Sequence, residues 1–275
     1  MSPLSNRQAL FAIAPGLLRA RLQGGWWRRR TLAAAERPWD PAAPLGEAAA
    51  EVLKSLGASA RGAVLDVEIA NACVHLDVAE GDFAGHSNEQ LGAVAGACVR
   101  ELLGDTTAHE LRWHLQTDER HLLICAIPRS LTEPLRGAAA EAGLRLRRVE
   151  PAFGAGWARH GAPLAQGLGV IAFSDGDYAL AALARDGIVQ ALSSGAQPDL
   201  PENPCAPLPA VDRLLNGLGL EDAATPTRLD AQVARLVTGV GLEMQQIEHF
   251  VAVLEDDDPH ELSSRWTVFS HRAER

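Results

Sequence analysis

Within residues 60–195, short runs in which every second residue is apolar are separated by helix-like segments and glycine turns. This pattern indicates that the segment alternates between strands and helices. In the run ACVHLDV at residues 72–78, every second residue from Val74 is apolar, and the intervening His75 and Asp77 are polar. This alternation is typical of a half-buried strand. With 47% hydrophobic and 22% charged residues, the composition excludes a disordered chain and a coiled coil.

The first half of the chain predicts an α/β unit whose helices end at glycines. Ser87 and Gln90 form a capping-box pattern at the start of one helix. The predicted elements are a helix at 45–56, strands at 63–68 and 72–78, a helix at 88–103, strands at 110–116 and 121–127, a helix at 129–142 and a strand at 144–149.

The second half begins a new unit with an antiparallel meander. Strands are predicted at 168–174, 178–184 and 188–193, and Asp175-Gly176-Asp177 is typical of a hairpin turn. Helix-like patterns follow at 210–218 and 230–237. A chain of 275 residues is long enough for two such units. We therefore predict a basic N-terminal arm at 1–45, a first lobe at 46–160, and a second lobe at 161–275 with an acidic C-terminal tail.

Charge is distributed unevenly along the chain. Residues 1–37 hold seven arginines and one glutamate, a net charge of +6, so the rest carries −16 to give the total of −10. The arm includes Trp26, Trp27, Arg28, Arg29 and Arg30. Indole rings beside arginines suit a membrane surface with anionic lipids. They would equally suit a groove on a partner protein, or an arm that packs onto its own domain.

Several other function classes find little support. The overall acidity argues against general nucleic-acid binding, because that usually needs a basic face. No run of about 18 apolar residues predicts a membrane-spanning helix. The four cysteines are far apart, without metal-ligand spacing, and we expect no metal site and reduced thiols. No dinucleotide fingerprint, phosphate loop or hydrolase motif is present.

One connector carries a resemblance to a known family. In the run AEAGLRLRRVEPA at residues 140–152, a helix ends at glycine, leads into a strand and leaves it at Glu150-Pro151; residues 125–129 (CAIPR) lead from a strand into a helix. This order resembles the PilM-type protein of type IV pilus assembly and the cytoplasmic part of the GspL-type secretion protein. The resemblance implies an α/β fold of two actin-like (ribonuclease-H-like) lobes with mixed sheets flanked by helices, here with the N-terminal arm.

The same resemblance implies a function. It suggests a non-enzymatic scaffold, cytoplasmic and peripheral at the bacterial inner membrane, that binds a short cytoplasmic peptide of an inner-membrane assembly protein. Actin-fold ATPases hold phosphates with glycine-bearing hairpins, one in each lobe. We match the first hairpin to residues 65–73, where Glu68 replaces the glycine two residues after Asp66. A carboxylate at that position would repel a phosphate, so we expect no cofactor and a pseudo-ATPase.

An alternative is an actin-like ATPase with an atypical pocket. In that case Asp66 would position ATP-bound magnesium, and Asp175 and Gly176 would approach the phosphates. The carboxylates of Asp66 and Glu68 could also act as a catalytic or metal-binding pair, as in ribonuclease-H nucleases. A nucleic-acid-associated protein that acts through residues 28–30 is a further alternative.

Overall fold

The computed structural model describes residues 7–25, 30–161, 165, 168–175, 178–196, 235–237, 248–254 and 264–270. The helices are α1 (Leu45–Lys54), α2 (Asn88–Leu103), α3 (Arg129–Glu141) and α4 (Ala152–His160). The first eight strands are β1 (Gln8–Ala14), β2 (Leu17–Gly24), β3 (Arg30–Pro38), β4 (Val64–Ile69), β5 (His75–Glu80), β6 (His109–Leu115), β7 (His121–Pro128) and β8 (Arg145–Pro151). Six more follow, β9 (Leu168–Asp175), β10 (Tyr178–Arg185), β11 (Ile188–Ala196), β12 (Arg235–Val237), β13 (Glu248–Leu254) and β14 (Ser264–Ser270).

A five-stranded mixed sheet in the order β3-β2-β1-β4-β8 lies at the centre of the first lobe. The strands β1, β4 and β8 are paired in parallel, and β2 is antiparallel to both of its neighbours, β1 and β3. Phe11, Ile13, Leu65 and Leu135 are fully buried where one face of this sheet packs against α1 and α3. The polar residues that alternate with buried ones along β2 and β4 lie on the opposite face of the sheet.

The separate N-terminal arm is a wrong prediction. Residues 8–38 form β1, β2 and β3, and β1 pairs on both sides, with β2 and with β4. The reason is a period of two that the arm interpretation overlooked, since Leu18, Ala20 and Leu22 are buried and alternate with partly exposed residues along β2. The first lobe therefore includes this segment. Of the tryptophan–arginine group, Arg30 begins β3, while residues 26–29 lie outside the described residues.

A three-stranded antiparallel sheet in the order β5-β7-β6 follows β4, and α2 packs on one of its faces. The predicted capping box is confirmed at the start of α2. The Gln90 backbone N–H donates to Ser87 Oγ at 3.3 Å, and the Ser87 N–H donates to Gln90 Oε1 at 2.7 Å. The element order of the structure also confirms the predicted order of strands and helices in residues 63–149, with boundaries shifted by a few residues.

The second lobe contains a sheet in the order β11-β10-β9-β13-β14, with β12 paired to β9. The predicted meander is confirmed, because β9 and β11 both pair antiparallel with β10. The helix predicted at 230–237 is wrong where it can be compared, since residues 235–237 hydrogen-bond to β9 as a parallel strand. The helix predicted at 210–218 lies outside the described residues, as does the acidic run at 255–258, which falls between the paired strands β13 and β14.

Two buried amide side chains connect separate elements. Gln116, just after β6, donates from Nε2 to the Val189 carbonyl at 2.7 Å and accepts from the Val189 N–H at 2.8 Å, which ties the three-stranded sheet to β11. Asn71 accepts at Oδ1 from the Phe153 N–H at 2.8 Å, near the start of α4. Each side chain replaces a backbone hydrogen bond that the neighbouring strand or helix cannot supply.

Candidate functional site

Asp66 is the buried carboxylate on the polar face of the first sheet. Along β4, Leu65, Val67 and Ile69 point into the core, so the pleat turns Asp66 and Glu68 to the opposite face. Only 4% of Asp66 is exposed. A carboxylate removed from water in this way needs compensating donors, and the neighbouring strands supply them.

Three side chains surround the Asp66 carboxylate. Arg147 donates from Nε to Oδ1 at 2.8 Å and from Nη2 to Oδ2, which makes a two-pronged ion pair. Gln8, on β1, donates from Nε2 to Oδ2. The Arg148 Nη2 lies 3.9 Å from the same oxygen. Both carboxylate oxygens are therefore engaged by protein donors.

A β-bulge brings two consecutive arginines to this carboxylate. Leu65 of β4 pairs with Leu146 of β8, but Asp66 pairs with Arg148, so Arg147 is the additional residue. In a regular strand neighbouring side chains point to opposite faces, and a bulge changes that direction locally. The bulge thus allows both Arg147 and Arg148 to reach Asp66.

The balance of charge holds Asp66 in its ionised form. Burial by itself raises the pKa of this carboxyl group, but hydrogen bonds from Arg147 and Gln8 and the positive charges of Arg147 and Arg148 more than offset it. The pKa of Asp66 is consequently lower than its usual value of 3.8. Arg147 and Arg148 are each about half exposed, at 55% and 54% of their side chains, so this ion pair opens to solvent on one side.

Further charges continue across the same face. Arg148 also pairs with Glu150 at 3.0 Å, and Glu68 lies beside Glu150 in the register of β4 with β8. The structure therefore brings Asp66 and Glu68 to one face, as their spacing predicts, but it places arginines among them. Within the described ranges, histidine, cysteine, aspartate and glutamate do not gather in groups of three or more that could hold a metal ion.

The match of residues 65–73 to a phosphate hairpin is wrong. Asp66 and Glu68 lie in the middle of β4, where they pair with Leu10 and Ala12 on one side and with β8 on the other. A strand with partners on both sides cannot form a turn, so the repulsion expected from Glu68 at a hairpin has no structural basis.

A tight two-residue hairpin of the first lobe joins β1 and β2. Ala14 pairs with Leu17, which leaves Pro15 and Gly16 as the two turn residues. Gly16 has a φ of +77°, and its carbonyl accepts the Trp39 N–H at 3.0 Å. Pro15 has no N–H to donate. This turn therefore offers few backbone donors to an anion.

The corresponding turn of the second lobe joins β9 and β10. Asp175 pairs with Tyr178, as the predicted hairpin requires. Asp175 is the last residue of β9, and Gly176 lies outside the described residues, so their approach to phosphates stays a prediction. The glycines at 239 and 241 lie outside the described residues as well.

Sequence reasoning identified Asp66 but missed its partners. Gln8 and Arg147 are 58 and 81 residues away from it along the chain. The signal for Arg147 was present, because three arginines occur among residues 145–148 of a predicted strand, more than one exposed face needs.

None of the helices in the described part of the chain has the length and hydrophobicity needed to cross a bilayer.

Comparison with solved structures assigns the fold. A chain of the PilM–PilN type IV pilus biogenesis complex superposes with a TM-score of 0.55 at 15% identity, covering 69% of this chain and 61% of that one. The chain has an actin-like fold. The predicted α/β class, with mixed sheets flanked by helices, is thereby confirmed.

Two other structures share features at lower scores. The cytoplasmic domain of EpsL, an inner-membrane component of the Vibrio cholerae type II secretion system, gives 0.49 at 11% identity, covering 86% of this chain and 84% of that one. A Bacteroides thetaiotaomicron protein of unknown function with an actin-like ATPase fold gives 0.49 at 10% identity, with coverages of 78% and 76%. No family model and no curated protein matches the sequence.

Proposed function

We propose that this chain is a non-enzymatic assembly protein that binds a short cytoplasmic peptide of an inner-membrane partner in a pilus or secretion machine. The support is its likeness to a chain of the PilM–PilN complex, of which it spans 61%. In this proposal the chain acts at the cytoplasmic face of the membrane. An actin-like fold suits both a scaffold and an ATPase, and the charged groups around Asp66 favour the scaffold.

The observation that carries the proposal is the pairing of Asp66 with Arg147. An ATPase that used Asp66 to position magnesium would have to leave its oxygens available to the ion or its water ligands. Here both oxygens accept hydrogen bonds from protein side chains. The proline in the β1–β2 turn supports the same conclusion, because it removes a donor from the hairpin of the first lobe.

Calorimetric titration with ATP and magnesium tests the non-enzymatic part. We expect no binding heat and no phosphate release, because the buried carboxylate is already neutralised. Micromolar binding of ATP-Mg would overturn the proposal in favour of the atypical ATPase. In that case Asp66→Ala would abolish hydrolysis, whereas Glu80→Ala, which removes an exposed carboxylate on the three-stranded sheet, would leave it unchanged.

The partner is tested separately. Labelled peptides from the cytoplasmic ends of membrane assembly proteins encoded beside this gene can be titrated by fluorescence anisotropy, with scrambled peptides as controls. One peptide should bind saturably and its scrambled form should not. Equal binding of native and scrambled sequences would contradict the assembly role even if ATP also fails to bind.

A further inference from the structure

Arginines from four separate segments lie at one edge of the first sheet. The edge is the one at which β1, β4 and β8 begin and β2 ends, because Gln8 pairs with Val64 and with Gln23, and Val64 pairs with Arg145. Arg30 pairs with Gly24 at the end of β2. We call Arg7, Arg30, Arg61 and Arg145 the basic edge.

Two members of the basic edge are anchored by their backbone surroundings. Arg7 donates from Nη1 to the Ser59 carbonyl at 2.6 Å, which holds its guanidinium against the turn that precedes β4. The stem of Arg61 lies over Gly143, where an added Cβ would come within 3.3 Å of its Cγ. The side chains of Arg7 and Arg61 are thus placed by contacts with the folded backbone.

The basic edge has few opposing charges. Among the residues that the structure describes, none forms an ion pair with Arg30, Arg61 or Arg145. The nearby Glu141 is already paired with Lys54 at 2.8 Å. The edge is therefore a local excess of positive charge on a chain whose formal net charge is −10.

An exposed apolar side chain lies among these arginines. The register of β2 with β3 shifts between Leu22 and Gln23, so Leu32 is the additional residue of a bulge, and it is 51% exposed. A Cβ added at Gly24 would meet Leu32 Cδ1 at 2.7 Å and the Arg7 Cγ at 3.8 Å. Leu32 and the stem of Arg7 therefore both lie beside Gly24, at the end of the sheet where Arg30 begins β3.

The dimensions of this edge fit a flat, extended surface. Five strands with a spacing of about 4.8 Å give a row of roughly 19 Å. Arginines that present their guanidinium groups in such a row, with an apolar side chain between them, match an interface of anionic headgroups over acyl chains. A nucleic-acid backbone would bind the arginines but would gain little from Leu32, and a long polyanion would meet the acidic body of the chain.

We propose that the basic edge docks on the anionic headgroups of a lipid bilayer, with Leu32 entering the interface. The proposal rests on the membrane-side location in the proposed function and assigns the surface that would face the bilayer.

Vesicle co-sedimentation of the full chain tests this surface. The probes are vesicles of phosphatidylglycerol and phosphatidylcholine in equal parts, and vesicles of phosphatidylcholine alone. The full chain should bind the anionic vesicles only, and added salt should weaken the binding. Each arginine is expected to contribute about fivefold, so Arg61→Gln combined with Arg145→Gln should weaken binding roughly 25-fold.

The matched control is Arg100→Gln with Arg120→Gln, which removes the same charge from exposed positions on α2 and in the turn between β6 and β7. This control should bind as the native chain does. Leu32→Ser should weaken binding while leaving its salt dependence unchanged, which a purely electrostatic contact would not show.

Three results would overturn the basic edge as a lipid-binding surface. These are failure of the native chain to sediment with anionic vesicles, equal loss in the control variant, and tighter binding to duplex DNA than to the vesicles at the same salt. The edge variant should still bind the partner peptide and remain without ATP binding. A failed vesicle assay with intact peptide binding would therefore reject this surface alone and leave the assembly role standing.

Discussion

At the scale of single residues, the Asp66 ion pair shows how a buried charge is compensated. The carboxylate is 4% exposed, yet its partner Arg147 remains about half in water. Such a pair avoids the full desolvation of two charges, because only the acid is removed from solvent. Its contribution to stability depends on Asp66 being ionised, and it should therefore depend on pH.

Asp66→Asn keeps the size of the side chain but removes the charge. We expect the free energy of unfolding near neutral pH to fall by about 1–2 kcal/mol, the range for charge-assisted hydrogen bonds reduced for the exposed partner. Because the folded pKa lies below the usual 3.8, this contribution is present above that value and is lost as the pH falls through the lowered pKa. Urea denaturation at several pH values measures the difference.

The control for this prediction is Glu80→Gln. Glu80 pairs with Arg120 at 3.1 Å, and both side chains are largely exposed, so its loss should cost less than about 1 kcal/mol. If native protein and Asp66→Asn differ equally at neutral pH and well below pH 3.8, the ion pair is not the cause.

At the scale of elements, amide side chains join units that share no strand pairing. Gln116 contacts both backbone polar atoms of Val189, a residue that is 2% exposed. Water cannot easily replace these two bonds at such a buried position. The contact therefore fixes the position of β11 relative to the three-stranded sheet.

Gln116→Ala removes both bonds at once. We expect a loss of about 3 kcal/mol, because a buried N–H and a buried C=O are left without partners. The Val189 amide should also exchange its hydrogen faster, which hydrogen-exchange mass spectrometry or NMR can detect. Gln23→Ala, at a half-buried position on β2, is the control and should cost less than about 1 kcal/mol. Unchanged exchange at Val189 in the first variant would contradict the contact.

At the scale of the whole molecule, the first lobe depends on its N-terminal strands. β1 lies between β2 and β4, and its Phe11 and Ile13 belong to the same core as α1 and α3. A detachable arm would contribute nothing to this core, so the two interpretations differ in what truncation would do.

Deletion of residues 1–45 distinguishes them. Without β1 the buried side of β4, including Leu65 and Val67, would be exposed to water. We expect the truncated chain to lose its cooperative thermal transition, as measured by circular dichroism, and to aggregate. A truncated chain that unfolds cooperatively at the native temperature would support the arm after all.

Local patterns predicted much of the fold, because alternation and capping act over a few residues. The strands and helices of residues 63–149 and the meander of the second lobe could be read in this way, as could the start of α2 at Ser87. The same period of two was available in β2. Its concentrated charge, with Arg19 and Arg21 between apolar residues, favoured an arm over a sheet strand.

The sequence by itself determined the strands and helices of residues 63–149 and the meander at 168–193, since these follow from the local order of apolar, polar and glycine residues. Only the tertiary structure decided which distant residues meet. It paired Asp66 with Arg147 through a bulge, replaced the expected phosphate hairpin with a paired strand, and gathered Arg7, Arg61 and Arg145 at one edge. These outcomes depend on strand register, and a shift of one residue changes which side chains share a face without altering the local pattern.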